Sequence, residues 1–173
     1  MIHNHPESRI RVRFKDCDPL GHLYNTRFLE YMLEAREDHI MEYYSLNLED
    51  YAIQHGRAWV VAAHQIAYYK EAKRNEYVRI KSAMVYYDEK SIINEYQMWD
   101  DNMEQLKALM WTTFLHIDLK LKKVSPHDAK MMDQLKDIHL EIEETDFAKR
   151  SLSLRNKKLL RSKRLKIFIC ILA

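Results

Sequence analysis

Apolar and polar residues alternate near the start of the chain. Ile10, Val12 and Phe14 interleave with Arg11, Arg13 and Lys15, the period-two pattern of a half-buried strand over 10–15. Residues 1–8 read as a frayed lead-in. Asp16-Cys17-Asp18-Pro19-Leu20-Gly21-His22 then breaks the alternation. Pro fixes its own φ and Gly tolerates positive φ, so this segment predicts a turn. From Asn25 or Thr26, both able to cap a helix, the period lengthens. Phe28, Met32, Ala35 and His39 share one face, with Leu29, Leu33, Arg36 and Ile40 beside them. Glu30, Glu34, Glu37 and Asp38 mark the wet side. The spacing predicts a long core-facing helix ending between Tyr44 and Asn47. Leu48 to His55, a short helix or loop, leads to Gly56.

The rest alternates again. Trp59 to Tyr69 is rich in β-branched and aromatic residues, and Lys70 to Glu76 is a polar connection. Tyr77 to Tyr87 places Val78, Ile80, Ser82, Met84 and Tyr86 on one side. Asp88-Glu89 turns the chain into Lys90 to Asp100, where Ile92, Asn94, Tyr96 and Met98 oppose Ile93, Glu95, Gln97 and Trp99. Asp100-Asp101-Asn102 predicts a hairpin turn before Gln105 to Leu119. The segment from Val124 to His127 stops the sheet, and Asp128 to Leu140 predicts a second helix. The order is strand, long helix, then four strands in an apparent meander. The expected class is α+β, one long helix against five antiparallel strands. One helix cannot cover both faces of such a sheet, so self-association as a dimer or tetramer is expected.

Composition sharpens this picture. A chain of 173 residues, 47% hydrophobic and 31% charged, is long enough for one well-packed domain and too apolar to be disordered. The net charge of +2 hides an asymmetry. Nine Lys and Arg lie between Lys149 and Lys166, and no Asp or Glu follows Asp146. Of the 28 basic residues, 19 therefore stand in the body, against all 26 acidic ones, a net of −7. This divides the chain into a domain over 1–144 and a basic extension over 145–173. In that extension Leu159, Leu160 and the apolar end Ile167 to Leu172 are mixed with basic residues. It reads as an accessory helix or irregular segment, with membrane contact as a lesser alternative. No apolar run approaches the roughly 20 residues that span a bilayer, and the first ten residues lack a signal-peptide core. A cytoplasmic protein is expected. Cys17 and Cys170 form no CxxC pair, the nine histidines show no metal-ligand spacing, and two glycines make no phosphate-cradling loop. Neither disulfide framework nor cofactor is expected.

Candidate chemistry concentrates between residues 16 and 25. Two carboxylates, a thiol and an imidazole precede a helix N-terminus, whose free N–H groups favour negative charge. Such a constellation suits acyl transfer. Asp18 is either a reactive carboxylate or the acceptor of an Asx-turn before Pro19. Asp16 reads first as a solvated or turn carboxylate and second as a supporting group. His22 either orients Asp18, water or an acyl carbonyl, or simply packs in the loop. Asn25 is a helix cap whose backbone serves the site. Cys17 has no dedicated histidine partner and is a poor candidate nucleophile. His64 and His116 read as hydrogen-bonded sheet histidines. The aromatic residues Tyr68, Tyr69, Tyr86, Tyr87, Tyr96 and Trp99 read first as sheet packing and second as the lining of an acyl pocket.

The strand, Asp18-Pro19-Leu20-Gly21-His22, Asn25 and the run Phe28-Leu29-Glu30-Tyr31-Met32-Leu33-Glu34-Ala35-Arg36 resemble the opening of thioesterases of the 4-hydroxybenzoyl-CoA type. The likeness continues through Ile66-Ala67-Tyr68-Tyr69-Lys70, Lys90-Ser91-Ile92 and Phe114 to Leu119, covering roughly residues 9–133. It departs in turn chemistry, with Glu71 for a common Pro and Asn75-Glu76 for a common Gly-Asp. The resemblance implies the hotdog fold, a long helix wrapped by a curved five-stranded antiparallel sheet. It further implies hydrolysis of an acyl-CoA or acyl-carrier-protein thioester in a site between two subunits. Asp18 would be nucleophile or general base, His22 its neighbour, and a backbone N–H near Asn25 the oxyanion donor. Lys90 and Ser91 would contact the partner's site or the CoA phosphates, or serve the sheet alone.

Three rivals remain at this level. A hotdog protein that binds acyl-CoA or acyl carrier protein without turnover shares every feature above. A hotdog hydratase resembles an Asp followed by His five residues later, whereas here Asp18 and His22 are four apart. A nucleic-acid binder would act through the basic tail; no nucleic-acid partner is expected.

Overall fold

The structure, a computed structural model, describes residues 4–156. The basic, apolar segment over 157–173, with Cys170, lies outside them. Two compact units divide the chain, Met1–Glu141 and Ile142–Ala173. In the second, Asp146 starts a helix over 147–156, accepting the Lys149 N–H at 2.9 Å. The first unit holds all named elements: β1 (Glu7–Arg11), α1 (Asn25–Tyr44), α2 (Leu48–His55), β2 (Arg57–Tyr68), β3 (Tyr77–Tyr87), β4 (Ser91–Asp100), β5 (Leu106–Asp118), β6 (Lys123–Val124) and α3 (Ala129–Ile138).

The two helices that the pattern predicts form, and Leu48–His55, which read as helix or loop, is a helix. On α1, Phe28, Tyr31, Met32, Ala35, Arg36 and His39 are buried, a stripe at steps of three and four. Glu30, Glu34, Glu37 and Asp38 are exposed. The helix ends at Ser45 in the left-handed region (φ 51°). α2 starts on the Asn47 side chain, which accepts the Glu49 and Asp50 N–H groups, and ends at Gly56, whose φ of 62° a Cβ would strain. Asp128 caps α3.

The antiparallel sheet has the order β1-β3-β4-β5-β2, with β6 added beside β5. Only β3, β4 and β5 form a meander. β2 crosses to the far edge and pairs with β5, from Arg57 opposite Asp118 to Tyr68 opposite Ala108. A period-two pattern fixes which face a strand buries but not its neighbour, so the meander expected of β2 does not form. Register shifts interrupt β2 at Val61/Ala63, β3 at Met84/Tyr86 and β5 at Leu106/Ala108, opposite Met98/Trp99. Bulges of this kind bend strands and increase their twist, curling the sheet around α1. The shift in β3 also explains why Tyr86 is exposed although the strict alternation places it with Met84. β1 is displaced from its expected span: Glu7 and Ser8 pair with Lys81 and Ile80, and Phe14–Asp16 forms a 3-10 turn.

Val78, Ile80, Tyr96, Met98, Ala108 and Met110 meet Phe28, Met32 and Ala35 in the main core. Two polar clusters flank it. In one, Ser8 Oγ, His39 and Ser82 Oγ are linked at 2.7 and 2.8 Å through the two imidazole nitrogens. In the other, Tyr51 bonds His116 at 3.1 Å, and the Trp59 indole donates to His127 at 3.0 Å. His64, bonded to Thr112 at 2.9 Å, and His116 are hydrogen-bonded sheet histidines as expected.

Burial, reinforced by the nearby Arg36 charge, pushes His39 down to about 4. The unfolded chain, with His39 near its ordinary value of about 6.5, binds the proton more readily between these pH values. The His39 contribution is therefore whole above about pH 6.5 and is lost as pH falls towards 4. Between pH 7 and pH 5 it removes about 2 kcal/mol. His39→Gln is expected to lose less stability over this interval than the parent, read from urea midpoints; equal losses contradict the assignment.

Candidate active site

The loop before α1 is built by its own backbone and by one distant segment. Gly21 N–H donates to the Asp18 carbonyl at 2.9 Å and closes a turn in which Gly21 takes φ 78°. Asp18 Oδ1 accepts the N–H groups of Leu20 and His22, both at 2.9 Å. The Asx-turn is therefore present, but it engages only one carboxylate oxygen. Among the described residues Oδ2 accepts no hydrogen bond. Leu23 N–H donates to the Ala72 carbonyl at 2.8 Å and Arg74 N–H to the Gly21 carbonyl at 2.9 Å. These bonds tie the loop to the connection before β3.

Asp18 lines a shallow pocket of about 370 Å³ with Phe14, Cys17, Leu20, Tyr24 and Arg74. Phe14 and Leu20 are 74% and 79% exposed, far more than apolar side chains of a folded core. The Arg74 guanidinium lies 5.4 Å over the Phe14 ring. A half-free carboxylate, an exposed apolar rim and a cation thus share one surface. Of the first-turn N–H groups of α1, those of Arg27 and Phe28 donate to the Tyr24 carbonyl; those of Asn25 and Thr26 lie on the same short segment and have no carbonyl one turn back to receive them. Together these groups can hold a carbonyl, deliver an oxygen or accept a proton, and stabilise developing negative charge.

Asp16 differs from its expected role. It is 4% exposed, not solvated. Its Oδ2 accepts the Tyr31 hydroxyl at 2.7 Å, its Oδ1 lies 3.6 Å from Arg27 Nε, and its carbonyl accepts the Tyr24 N–H at 3.0 Å. The Tyr31 oxygen also accepts the Arg13 N–H at 3.2 Å. Asp16 therefore clasps the start of α1. Asn25 is not the cap either; Tyr24 occupies that position without a side-chain cap bond. Asn25 is exposed and its carbonyl accepts the Tyr68 hydroxyl at 3.0 Å. His22 is partly buried and pairs with Asp18 through both its N–H and its carbonyl. Cys17 Sγ donates to the Arg13 carbonyl at 3.3 Å, and burial pushes its pKa up, reinforced by Asp16 and Asp18. A protonated thiol is no nucleophile.

Lys90 and Ser91 are not brought to this loop within one chain. They stand at the far end of β3, whose eleven residues span about 35 Å. Asp88 holds them there, accepting the Lys90 and Ser91 N–H groups and the Ser91 hydroxyl. The aromatic residues do not form one stripe. Tyr68 meets Phe28 edge-on at 5.3 Å, Tyr86 bonds Asp88, and Tyr87 packs on His139. Sequence reading missed Arg74, Phe14, Tyr24 and the Asp16–Tyr31–Arg27 clasp. Arg74 carries no local signal, because the backbone pairing of two distant loops delivers it.

A family model for the thioesterase-like superfamily matches residues 12–135. The long-chain acyl-CoA thioesterase FadM of Escherichia coli K12 is 27% identical over 132 residues, 76% of this chain and 98% of its own. The structure of YbaW, a probable thioesterase from Escherichia coli, superposes with a TM-score of 0.68 at 26% identity, covering 78% of this chain and 98% of that one. A 1,4-dihydroxy-2-naphthoyl-CoA thioesterase from Synechocystis gives 0.70 at 19% identity, covering 77% and 96%.

Burial pushes the Tyr31 phenol up to about 12, which keeps it the neutral donor to Asp16. Tyr31→Phe leaves a buried carboxylate oxygen and the Arg13 N–H without this partner. It is expected to destabilise the protein by about 1–3 kcal/mol, measured by urea unfolding; an unchanged midpoint contradicts the clasp.

Proposed function

The chain belongs to the thioesterase-like superfamily, has the hotdog fold and is a thioester hydrolase; on that premise we propose that it cleaves acyl-CoA, with Asp18 as the reacting carboxylate. The observation that carries the assignment is the asymmetry of Asp18. Oδ1 is held by two backbone donors, whereas Oδ2 has no partner among the described residues and the side chain lines the pocket. A fixed carboxylate with one available oxygen is preorganised for a single trajectory.

Two routes use that oxygen. As nucleophile, Oδ2 attacks the thioester carbon and forms a mixed anhydride, the C–S bond breaks, and the CoA thiolate leaves and is protonated. Water then hydrolyses the anhydride to the free acid. As general base, Oδ2 takes a proton from water, whose oxygen attacks the same carbon; the C–S bond then breaks, and the leaving thiolate takes that proton, giving the free acid and CoA. In both routes negative charge develops on the carbonyl oxygen, where a first-turn N–H near Asn25 meets it. His22 contributes through its backbone, which fixes Asp18. Arg74 and the apolar rim of Phe14, Leu20 and Tyr24 offer a cation and a nonpolar surface for the entering CoA. The relative FadM is named for long-chain acyl-CoA, which makes a long acyl chain the first substrate to test.

Self-association completes this reading. β2 is a twelve-residue edge strand, with Val60 and Val61 39% and 47% exposed. A long apolar edge is a template for pairing with a second copy. A second copy also offers the only route by which Lys90 and Ser91 reach an Asp18 site, namely the partner's.

Thiol release from an acyl-CoA panel tests the assignment. Asp18→Asn keeps the Oδ1 acceptor and hence the turn, but removes the charge. It is expected to lower kcat by about 10²–10⁴-fold with an unchanged melting temperature. A variant with parental turnover rules Asp18 out.

A further inference from the structure

A second, larger cavity of about 510 Å³ lies at the other end of α1. It is within the size range of small-molecule sites, about 300–1,000 Å³. The C-terminal half of α1, strands β2 to β5 and α3 line it, and it opens to solvent beside Tyr43 and Val61, which are 39% and 47% exposed. Its walls are largely apolar, with Leu33, Ile40, Trp59, Met84, Phe114 and Leu135 among them. Arg36, Asn94 and Tyr96 also line it, at 4%, 2% and 0% exposure.

These three residues share an unusual property. Arg36 Nε, Asn94 Oδ1 and the Tyr96 hydroxyl are buried without a hydrogen-bond partner, the only such side-chain atoms among the described residues. Asn94 and Thr112 lie near the Tyr96 hydroxyl without forming a hydrogen bond. Arg36 makes no ion pair among the described residues. Its Nη1 donates to Ser82 Oγ at 3.3 Å, and its guanidinium stands 5.2 Å from the Tyr44 ring centre. Glu37 and Asp137 also line the cavity, but they are exposed and make no ion pair with Arg36. His39, one turn along, carries no negative charge. A buried charge is normally paired, and buried polar atoms are normally hydrogen-bonded. Two of these three atoms on one cavity wall, Arg36 Nε–H and the Tyr96 hydroxyl, are donors, and they select a ligand that brings an anion.

The geometry points to a binding site for a free alkyl carboxylate. The carboxylate accepts from Arg36 Nε–H and the Tyr96 hydroxyl, and the Asn94 amide turns its NH₂ towards it. The alkyl chain follows the apolar walls along α1 from Leu33 to Tyr44, a rise of about 16 Å. A single guanidinium without lysine suits one negative charge rather than a phosphate ester. The site is separate from the Asp18 pocket. The two share no lining residue, and Arg36 stands about 16 Å along the helix from Asn25. The buried Phe28 and Met32 lie between.

Calorimetric titration of the full chain with decanoate and decanol tests this, alongside Arg36→Met, Tyr96→Phe and Asp18→Asn. Arg36→Met replaces an unpaired buried charge by a flexible apolar chain, and Tyr96→Phe removes a hydroxyl that makes no hydrogen bond. Both are expected to melt no lower than the parent without ligand. The parent is expected to bind decanoate saturably at one site per chain, and decanol at least tenfold more weakly. Arg36→Met and Tyr96→Phe are expected to bind decanoate at least tenfold and about threefold more weakly, and Asp18→Asn as tightly as the parent. Absence of saturable decanoate binding to the parent overturns the proposal. So does equal affinity for decanol, retention of full affinity in Arg36→Met, or loss of binding in Asp18→Asn. Because binding is read without turnover, its failure is distinct from failure of the Asp18 assignment, which thiol release reports.

Discussion

The burial of one stripe of α1 in the curl of the sheet governs the rest of the first unit. Phe28, Met32 and Ala35 contact inward residues of β3, β4 and β5, and each large apolar side chain so buried contributes about 1.5–3 kcal/mol. The bulges at Val61/Ala63, Met84/Tyr86 and Leu106/Ala108 allow one sheet to wrap one helix. Once α1 is seated, its first turn can stand only beside the Asp16–Leu23 loop. Tyr31, on the buried stripe itself, reaches back to Asp16 and sets that loop. Core packing and the geometry of the candidate site are therefore the same constraint, met at two places along one helix.

What the sequence discloses follows from the range of the forces involved. Helix faces and strand faces are local periodicities, so α1, α3 and the wet positions Glu30, Glu34, Glu37 and Asp38 were legible from spacing alone, whereas Leu48 to His55 is too short for its period to separate helix from loop. Strand partners are not local. Nothing in residues 57–68 announces that they pair with β5 rather than β3, and the expected meander fails there. Phe14 continues an alternation yet leaves the sheet, because the chain turns into a 3-10 turn to bring Asp16 under Tyr31. Within the site, Asp18 was legible because Pro, Gly and a helix start surround it. Asp16 was misread for a physical reason. A carboxylate in a loop reads as solvated unless the tyrosine fifteen positions later and an arginine eleven positions later are known to converge on it. Arg74 was invisible for the same reason.

Polar groups on the concave side of the sheet divide into two kinds. Ser8, His39 and Ser82 form a closed hydrogen-bonded chain, as do Tyr51, His116, Trp59 and His127 in pairs, and such networks fix side-chain positions within a core. Arg36, Asn94 and Tyr96 leave donors and an acceptor facing a cavity. The same helix thus has two ends of different character: backbone donors and Asp18 at a surface pocket, the proposed reactive end, and a buried cation beside an apolar volume, the proposed binding end. A chain that handles acyl groups has physical uses for both, one for the bond being cleaved and one for a carboxylate with its hydrocarbon tail.

The most direct test of the central claim is a structure of the protein with a non-cleavable acyl-CoA analogue in which a methylene replaces the thioester sulfur. The account predicts the ketone oxygen about 2.7–3.2 Å from a first-turn N–H of α1, with Asp18 Oδ2 facing the carbonyl carbon and the CoA portion leaving past Arg74. An analogue bound with its carbonyl remote from Asp18, or with that side chain turned into bulk solvent, contradicts it.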